Sequence, residues 1–382
     1  LASGASQSGF GRAGSVDWQT SIKTGDFTAA SGEGYFINTT SGAITMTLPS
    51  SPSVGDIVAF KDYAGTFDTN NLTINRNGSN IVGGTFNATV SVEGQAGTLV
   101  YGDSTQGWQI VEAATDADLP RPAYIAATGG TVTTVCTNFK VHTFTGPGTF
   151  CVSSAGNSQG SNTISYIVVA GGGGGGGGYQ AGGGGAGGFR EGKATTCSYT
   201  ASPLNAPAGL PVTATGYPVA VGGGGAGGGV ASPATNGNRS TAGVNSVFAG
   251  SSTITSAGGG SAGAFNCGNA PPEVGGNGGS GGGAARSPAT VPGGTGNSPP
   301  TNPAQGTNGG STTTPYASPF NGGGGGGATV AGTGGGGTTV GVGGAGATTS
   351  INGTPTTYAG GGGSGGATKG SGGTGGGGTG AG

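Results

Sequence analysis

The sequence predicts an all-β chain in two parts: antiparallel β-sandwich or β-prism modules, followed by a glycine-rich domain of stacked polyglycine-II-type helices with surface loops. Segments rich in β-branched residues recur about every 8–14 residues in the first part, as in sandwich folds. No long segment there has a helical period. Of the 99 glycines, 23 precede Gly171, and the remaining 76 make up more than one residue in three from there on. The composition therefore changes at Gly171.

Composition and strand pattern divide the chain into five regions. The predicted regions are, in order, a flexible or docking N-terminal arm (1–14), a β module (15–115), a linker (116–130), a small β unit (131–170) and the polyglycine-II-like domain (171–382). In the small β unit, Phe139–Phe144 and Thr149–Val152 are expected to pair as a hairpin around Gly146–Gly148. The sequence starts at Leu1 rather than Met, which indicates a processed product or part of a longer gene.

The glycine runs predict an ordered stack. Eight consecutive glycines, Gly171–Gly178, are followed by the near copies Gly182–Gly188 and Gly222–Gly229 and by further runs without a fixed period. Polyglycine-II helices with three residues per turn pack closely where side chains are absent, and at ~3.1 Å per residue an eight-residue run spans about 25 Å. The composition also permits a disordered, flexible tail. Apolar residues between the runs, such as Phe189 and Phe248, favour the ordered stack.

The composition excludes several classes of function. Only 6% of the residues are charged and the net charge is −2, so the clustered cations that bind nucleic acid are missing. No apolar stretch is long enough for a membrane-spanning helix. The single histidine, His142, lies in an alternating segment and is expected to face solvent, and the acids Asp56, Asp62 and Asp68 lie among turn residues. The sequence thus predicts no catalytic site, no metal site, no cofactor and no membrane insertion.

The cysteines leave two possibilities open. An even count without Cys-x-x-Cys spacing favours two disulfides over a metal site, and the alternative is four buried free thiols. The sequence does not choose among the three pairings of Cys136, Cys151, Cys197 and Cys267.

Aromatic residues between the glycine runs are the candidate binding groups. Loops held on a rigid scaffold commonly carry recognition, and aromatic side chains suit sugars or exposed protein loops. The alternative is that these residues only cap the ends of the glycine stack. The candidate receptor-loop residues are Tyr179, Phe189, Arg190, Tyr199, Phe265, Tyr316, Phe320 and Tyr358.

Both parts of the chain resemble proteins of bacteriophage tail fibres. In the first part Gly14–Thr20, Gly25–Ala29, Gly55–Val58 and Gly107–Ile110 are similar to modules of fibres from marine cyanophages and related phages. In the second part, Phe144–Phe150 and the stretch from Tyr166 to Gly178 resemble the glycine-rich domain of phage fibre and adhesin proteins. The chain departs from those adhesins by its own β modules and its four cysteines.

The resemblance implies a non-enzymatic structural or adhesive protein of a virion tail fibre, extracellular and often trimeric, whose loops bind a host cell-surface glycan or outer-membrane protein. In such adhesins polyglycine helices form a sandwich and the loops between them touch the receptor. A second hypothesis is a self-assembling extracellular filament, in which residues 1–14 insert as a strand into a neighbouring copy. A third, an ice-binding protein, requires a regular face of small residues, and the irregular loop spacing argues against it.

Overall fold

The computed structural model describes residues 16–112, 122–157, 159–178, 180–229, 240–265, 274–287, 289–312 and 320–381. The predicted N-terminal arm therefore lies outside the described residues. The chain forms two compact units, the first reaching to Ala123 with residues 157–160, the second comprising Tyr124–Gly156 and the chain from Ser161 onward. The described residues contain strands and turns but no helix, so the all-β prediction is confirmed. No helix capable of crossing a membrane is found among them.

The described residues of the first unit form nine strands in two sheets. They are β1 (Asp17–Trp18), β2 (Phe27–Thr28), β3 (Glu33–Ile37), β4 (Ile44–Thr47), β5 (Ile57–Asp62), β6 (Leu72–Asn75), β7 (Ala88–Val90), β8 (Ala96–Asp103) and β9 (Gly107–Ile110). The sheet orders are β1-β3-β5-β8-β9 and β2-β4-β6-β7. The first three strands of each sheet are parallel, because the chain alternates between the sheets from β1 to β6. The expected antiparallel order is wrong for these six strands and holds only for the pairs made by β7, β8 and β9.

One hydrophobic core joins the two sheets of the first unit. It includes Phe60, Leu72 and Trp108, all fully buried. Asp62, at the end of β5, is a buried acid that organises the adjoining turns: Oδ1 accepts the Gly65 N–H at 3.0 Å, and Oδ2 accepts those of Phe67 at 3.1 Å and Gly94 at 2.9 Å. Burial raises the pKa of this carboxyl, but the bonds from backbone N–H groups lower it, and the net pKa lies below its usual value.

The second unit begins with short strands that pack beside the glycine runs. They are β10 (Ile125–Thr128), β11 (Thr131–Val135), β12 (Phe139–Thr143), β13 (Gly148–Ala155), β14 (Thr163–Ile164), β15 (Tyr166–Val169), β16 (Phe189–Gly192), β17 (Asn205–Ala206), β18 (Leu210–Pro211), β19 (Gly216–Ala220), β20 (Ser246–Ala249), β21 (Thr253–Ser256), β22 (Ala347–Thr349) and β23 (Thr356–Tyr358). The largest sheet has the order β10-β13-β19-β20-β21. Strand β10 thus lies within the range predicted as a linker.

The predicted hairpin of β12 and β13 is wrong. Strand β12 pairs with β11, whereas β13 lies between β10 and β19 in another sheet. The turn of the observed hairpin lies between β11 and β12, at Cys136 and Thr137, whose φ values are 49° and 64°. Neither residue is Gly or Pro, the usual signals of a turn, so the sequence pattern favours the Gly-Pro-Gly stretch after β12 instead.

From Gly171 onward the glycine runs lie side by side and bond to one another through their backbones. The segment 182–188 is buried throughout, and its N–H groups show the pattern most fully. One set donates to residues 257–263: Gly182 to Gly263, Gly185 to Gly260 and Gly188 to Ala257, at 2.8–3.0 Å. A second set donates to residues 323–326: Gly183 to Gly323 and Ala186 to Gly326, both at 2.9 Å. Every third residue therefore bonds to the same neighbour, the repeat expected of packed threefold helices.

The stack leaves no room for side chains at most of its inner positions. An added Cβ would lie 2.0 Å from a carbonyl oxygen at Gly182 and Gly183, and 2.1 Å at Gly184. With a C–C bond of about 1.5 Å, these contacts place each Cα within about 3.5 Å of the oxygen, the range of Cα–H···O contacts. Glycine is required here because its Cα hydrogens touch the neighbouring backbone.

Candidate receptor-binding loops

The hydrogen-bond register sorts the chain reversals of the second unit between two ends. Residues 170–176 run away from β15 and residues 182–188 return, since Ala170 donates to Gly188 and Gly176 to Gly182. We name the end away from β15 the far end, and the end that holds the strands the near end. Among the described residues, the reversals at the far end connect 177–178 to 180–181, 229 to 240, 264–265 to 274–275, 286–287 to 289–293 and 311–312 to 320–321, and they include 334–341 and 366–369. Those at the near end include 189–222, 245–256, 297–306, 328–330 and 346–359.

Two of the predicted receptor-loop residues come together at the far end. The guanidinium carbon of Arg286 lies 3.5 Å from the ring centroid of Phe320 and 5.5 Å from that of Phe265. All three side chains are half-buried. The contact joins three separate reversals, and Arg286, which sequence reasoning missed, lies between the two rings. Tyr179 and Tyr316 lie outside the described residues.

The other four predicted residues lie at the near end, among the strands. Phe189 is fully buried in β16, pairs with Val169 and belongs to a hydrophobic cluster, so its assignment as a surface-loop residue is wrong. Arg190 follows in the same strand and is half-buried. Tyr358, in β23, packs against the cluster of Phe189. Tyr199 is half-buried, with the Lys193 Nζ 5.2 Å from its ring centroid.

A comparison with known protein families finds a match that covers most of the second unit. The model of the glycine-rich domain family matches residues 143–382. The chain belongs to this family. No curated protein matches the chain.

The glycine-rich domain contains a buried acid at its near end. Glu191 is 1% exposed, and its Oε2 accepts the Ser202 N–H at 2.8 Å while its Oε1 accepts the Thr349 hydroxyl at 2.6 Å. The pKa of the Tyr199 phenol is raised, first by burial and second by the negative charge of Glu191. The Glu191 carboxylate therefore links the long segment after β16 to β22, and each of its two oxygens accepts one of these hydrogen bonds. No group of three or more His, Cys, Asp or Glu in the described ranges is placed to hold a metal ion.

A cavity of about 930 Å³ lies at the near end beside the glycine-rich domain's strands. Its lining is largely apolar and includes Phe139, Tyr166 and Phe248. His142, expected to face solvent, is half-buried in this lining, with Nδ1 2.8 Å from the carbonyl oxygen of Gly129 and its ring packed edge-on to Phe150 at 5.0 Å. It is held by structural contacts because β12 folds onto the β13 sheet.

The expected pair of disulfides is not formed. Cys136, Cys151 and Cys197 are free thiols, and Cys267 lies outside the described residues. Two disulfides from four cysteines would have to join two of these three. Cys136 and Cys151 belong to different sheets, because Cys136 follows β11 in a two-stranded hairpin whereas Cys151 lies in β13, opposite Thr128 and Gly216.

Proposed function

We propose that this chain is a non-enzymatic, extracellular adhesive protein of the bacteriophage tail-fibre type, and that the glycine-rich domain displays its far-end reversals to a host cell surface. One observation carries the proposal. A buried, side-chain-free stack holds successive chain reversals at the end away from the strands. Scaffolds that fix many loops at one end are suited to recognition.

We infer that the stack consists of polyglycine-II-type helices. The three-residue hydrogen-bond repeat of residues 182–188 and the contacts at glycine Cα atoms support this geometry. Backbone bonds of the stack hold the described residues on both sides of each reversal. Holding both ends of a loop reduces the entropy that the loop loses on binding, which strengthens binding for a given set of contacts.

The chemistry of the far end suits a glycan or an exposed protein loop. Its described groups are mostly amides, hydroxyls and aromatic rings, with the charges of Arg286 and the exposed Lys369 among them. Aromatic rings and amides together bind sugars and polar loops. The partner we propose is therefore a host cell-surface glycan or outer-membrane protein, and the first unit serves attachment or formation of a homotrimer.

Cell binding tests the proposal. The fluorescently labelled chain is incubated with cells of a panel of cyanobacterial strains, with and without excess unlabelled chain. We expect saturable binding to some strains. Binding to none, or an open-ended polymer of the chain in electron micrographs, would contradict the proposal, and the polymer would favour the filament.

Steric blocking then locates the binding surface. A short epitope is inserted beside Lys369 at the far end, or beside Thr354, which is exposed at the near end. A Fab fragment against the epitope is expected to block cell binding only when the epitope is at the far end. Equal blocking at both ends would refute the assignment of the far end.

A further inference from the structure

Arg286 joins the far-end reversals through more than its two ring contacts. Its backbone N–H donates to the carbonyl oxygen of Gln180 at 3.1 Å, and its Nη1 donates to Gln180 Oε1 at 2.9 Å. We name Arg286, Gln180, Phe265 and Phe320 the Arg286 clamp. The clamp connects three reversals, through their described residues Gln180, Phe265 and Phe320, to the end of the segment that carries Arg286.

Asn321 extends the clamp to two further reversals. It follows Phe320 and is 1% exposed. Its Nδ2 donates to the carbonyl oxygen of Gly337 at 3.0 Å, and its Oδ1 accepts the Thr368 N–H at 3.4 Å. A displacement of Phe320 would therefore be transmitted to the reversals 334–341 and 366–369.

The clamp is separate from the hydrophobic cores. Phe265 and Phe320 belong to none of the three buried clusters formed by the described residues. Gln180 is 6% exposed and has a φ of 97°. A positive φ costs free energy in a residue other than glycine and persists only where the surroundings impose it. An arginine suits this position because its planar guanidinium stacks on aromatic rings and donates in fixed directions.

From this geometry we infer that Arg286 is a positioning residue for receptor binding: the clamp fixes the arrangement of the far-end reversals, and Arg286 acts through them. The inference rests on the proposed function. It predicts that loss of the clamp loosens the far end while the centre of the stack stays intact, and that binding weakens because the loops must then be ordered on contact.

The test compares Arg286→Met and Arg286→Lys with Arg190→Met, the same change at a half-buried arginine of the near end. Hydrogen exchange is followed at Gly182 and Gly322, which donate to Gly263 and Gly365, and at Gly185 in the middle of the stack. Arg286→Met should accelerate exchange at the first two amides about tenfold or more and leave Gly185 unchanged. Arg286→Lys should have an intermediate effect, since it keeps the charge but loses the planar stack. Arg190→Met should change none of the three.

Binding to a responsive cyanobacterial strain is the second readout. If Arg286 positions the loops, Arg286→Met should weaken cell binding about tenfold or more, and the remaining binding should depend on salt concentration as before. If Arg286 instead makes a direct ionic contact with the receptor, removal of its charge should abolish the salt dependence. Unchanged exchange, unchanged cell binding, or lost salt dependence would each overturn the positioning role. If Arg286→Met does not fold, Gln180→Gly, which tolerates the positive φ and removes the amide partner, must give the same accelerated exchange. Failure of the wild-type chain to bind any strain would overturn the proposed function itself, and this inference with it.

Discussion

A single methyl group placed inside the glycine stack should destabilise the second unit strongly, whereas the same methyl group at its surface should not. In Gly183→Ala the new Cβ would lie 2.0 Å from the carbonyl oxygen of Gly362 and 2.9 Å from the nitrogen of Gly325. Relief of this overlap needs a shift of about 1 Å or more, because contacts of a Cβ below 3.0 Å are essentially never observed. Two bonds cross this point, Gly325 to Gly362 at 2.8 Å and Gly362 to Gly184 at 2.9 Å. Such a shift lengthens both beyond hydrogen-bonding distance.

Loss of a buried hydrogen bond whose groups find no other partner costs about 1–3 kcal/mol, so the loss of two should lower the free energy of unfolding by about 2–6 kcal/mol. At Gly175, by contrast, no atom lies within 4 Å of an added Cβ. Gly175→Ala should be neutral, or stabilising by about 0.4–1 kcal/mol, because alanine restricts the unfolded chain.

Differential scanning calorimetry measures both variants. For a unit of this size the difference should separate the two melting temperatures by about 10 °C. Melting temperatures within about 1 °C of each other would refute the packing argument, since both changes add the same methyl group to a glycine run. Ala186 is 4% exposed and lies three residues after Gly183, at the same position of the threefold repeat, so the room for a methyl group depends on the backbone that faces each position.

Three further predictions concern individual side chains. Asp62→Asn should lower the free energy of unfolding of the first unit by about 2–3 kcal/mol, because an amide group would face N–H donors. The pKa of Asp62 in the folded state lies below the unfolded value of about 3.9, so the ionised carboxylate stabilises the fold above about pH 3.9 and this stabilisation is lost as the pH falls through the folded-state pKa. Urea unfolding at a series of pH values measures both the loss in Asp62→Asn and the pH dependence. Equal acid sensitivity of Asp62→Asn and the unaltered chain would contradict the role of the carboxylate. Trp108→Ala should lower the free energy of unfolding by about 3–5 kcal/mol. Trp108→Phe should lower it clearly less, because it also removes a buried indole N–H that has no partner among the described residues. Circular dichroism during denaturation measures both variants. Reductant should leave the melting temperature unchanged within about 1 °C, and a thiol reagent should label the exposed Cys136 and Cys151 in the native chain.

The elements of the first unit could be predicted from local pattern, but their pairing could not. Ile44–Thr47 and Leu72–Asn75 show the alternation of half-buried strands, and both are strands. Their parallel pairing follows from the alternation of the chain between two sheets, a property of connections that span tens of residues. Parallel and antiparallel strands with one buried face have the same side-chain period, so the sequence pattern does not distinguish them.

The candidate site was predicted in composition and only partly in position. The end at which an aromatic residue lies depends on the direction of its glycine run, which is set by bonds between distant segments such as that from Gly183 to Gly323. Phe265 and Phe320 therefore meet at the far end, whereas Phe189 is buried in a strand at the near end. Arg286 carried no signal, because a lone arginine in a polar segment acquires its role only from the rings that enclose it.

A core made of peptide groups has a thermal consequence. On unfolding, exposed apolar surface raises the heat capacity by about 0.45 cal/K/mol per Å², whereas exposed polar surface lowers it by about 0.26. The segment 182–188 has backbone and one alanine methyl to expose, so its contribution to the heat-capacity increment is small. The glycine stack should accordingly flatten the stability curve of the second unit, and cooling that weakens a hydrophobic core should have little effect on the stack itself.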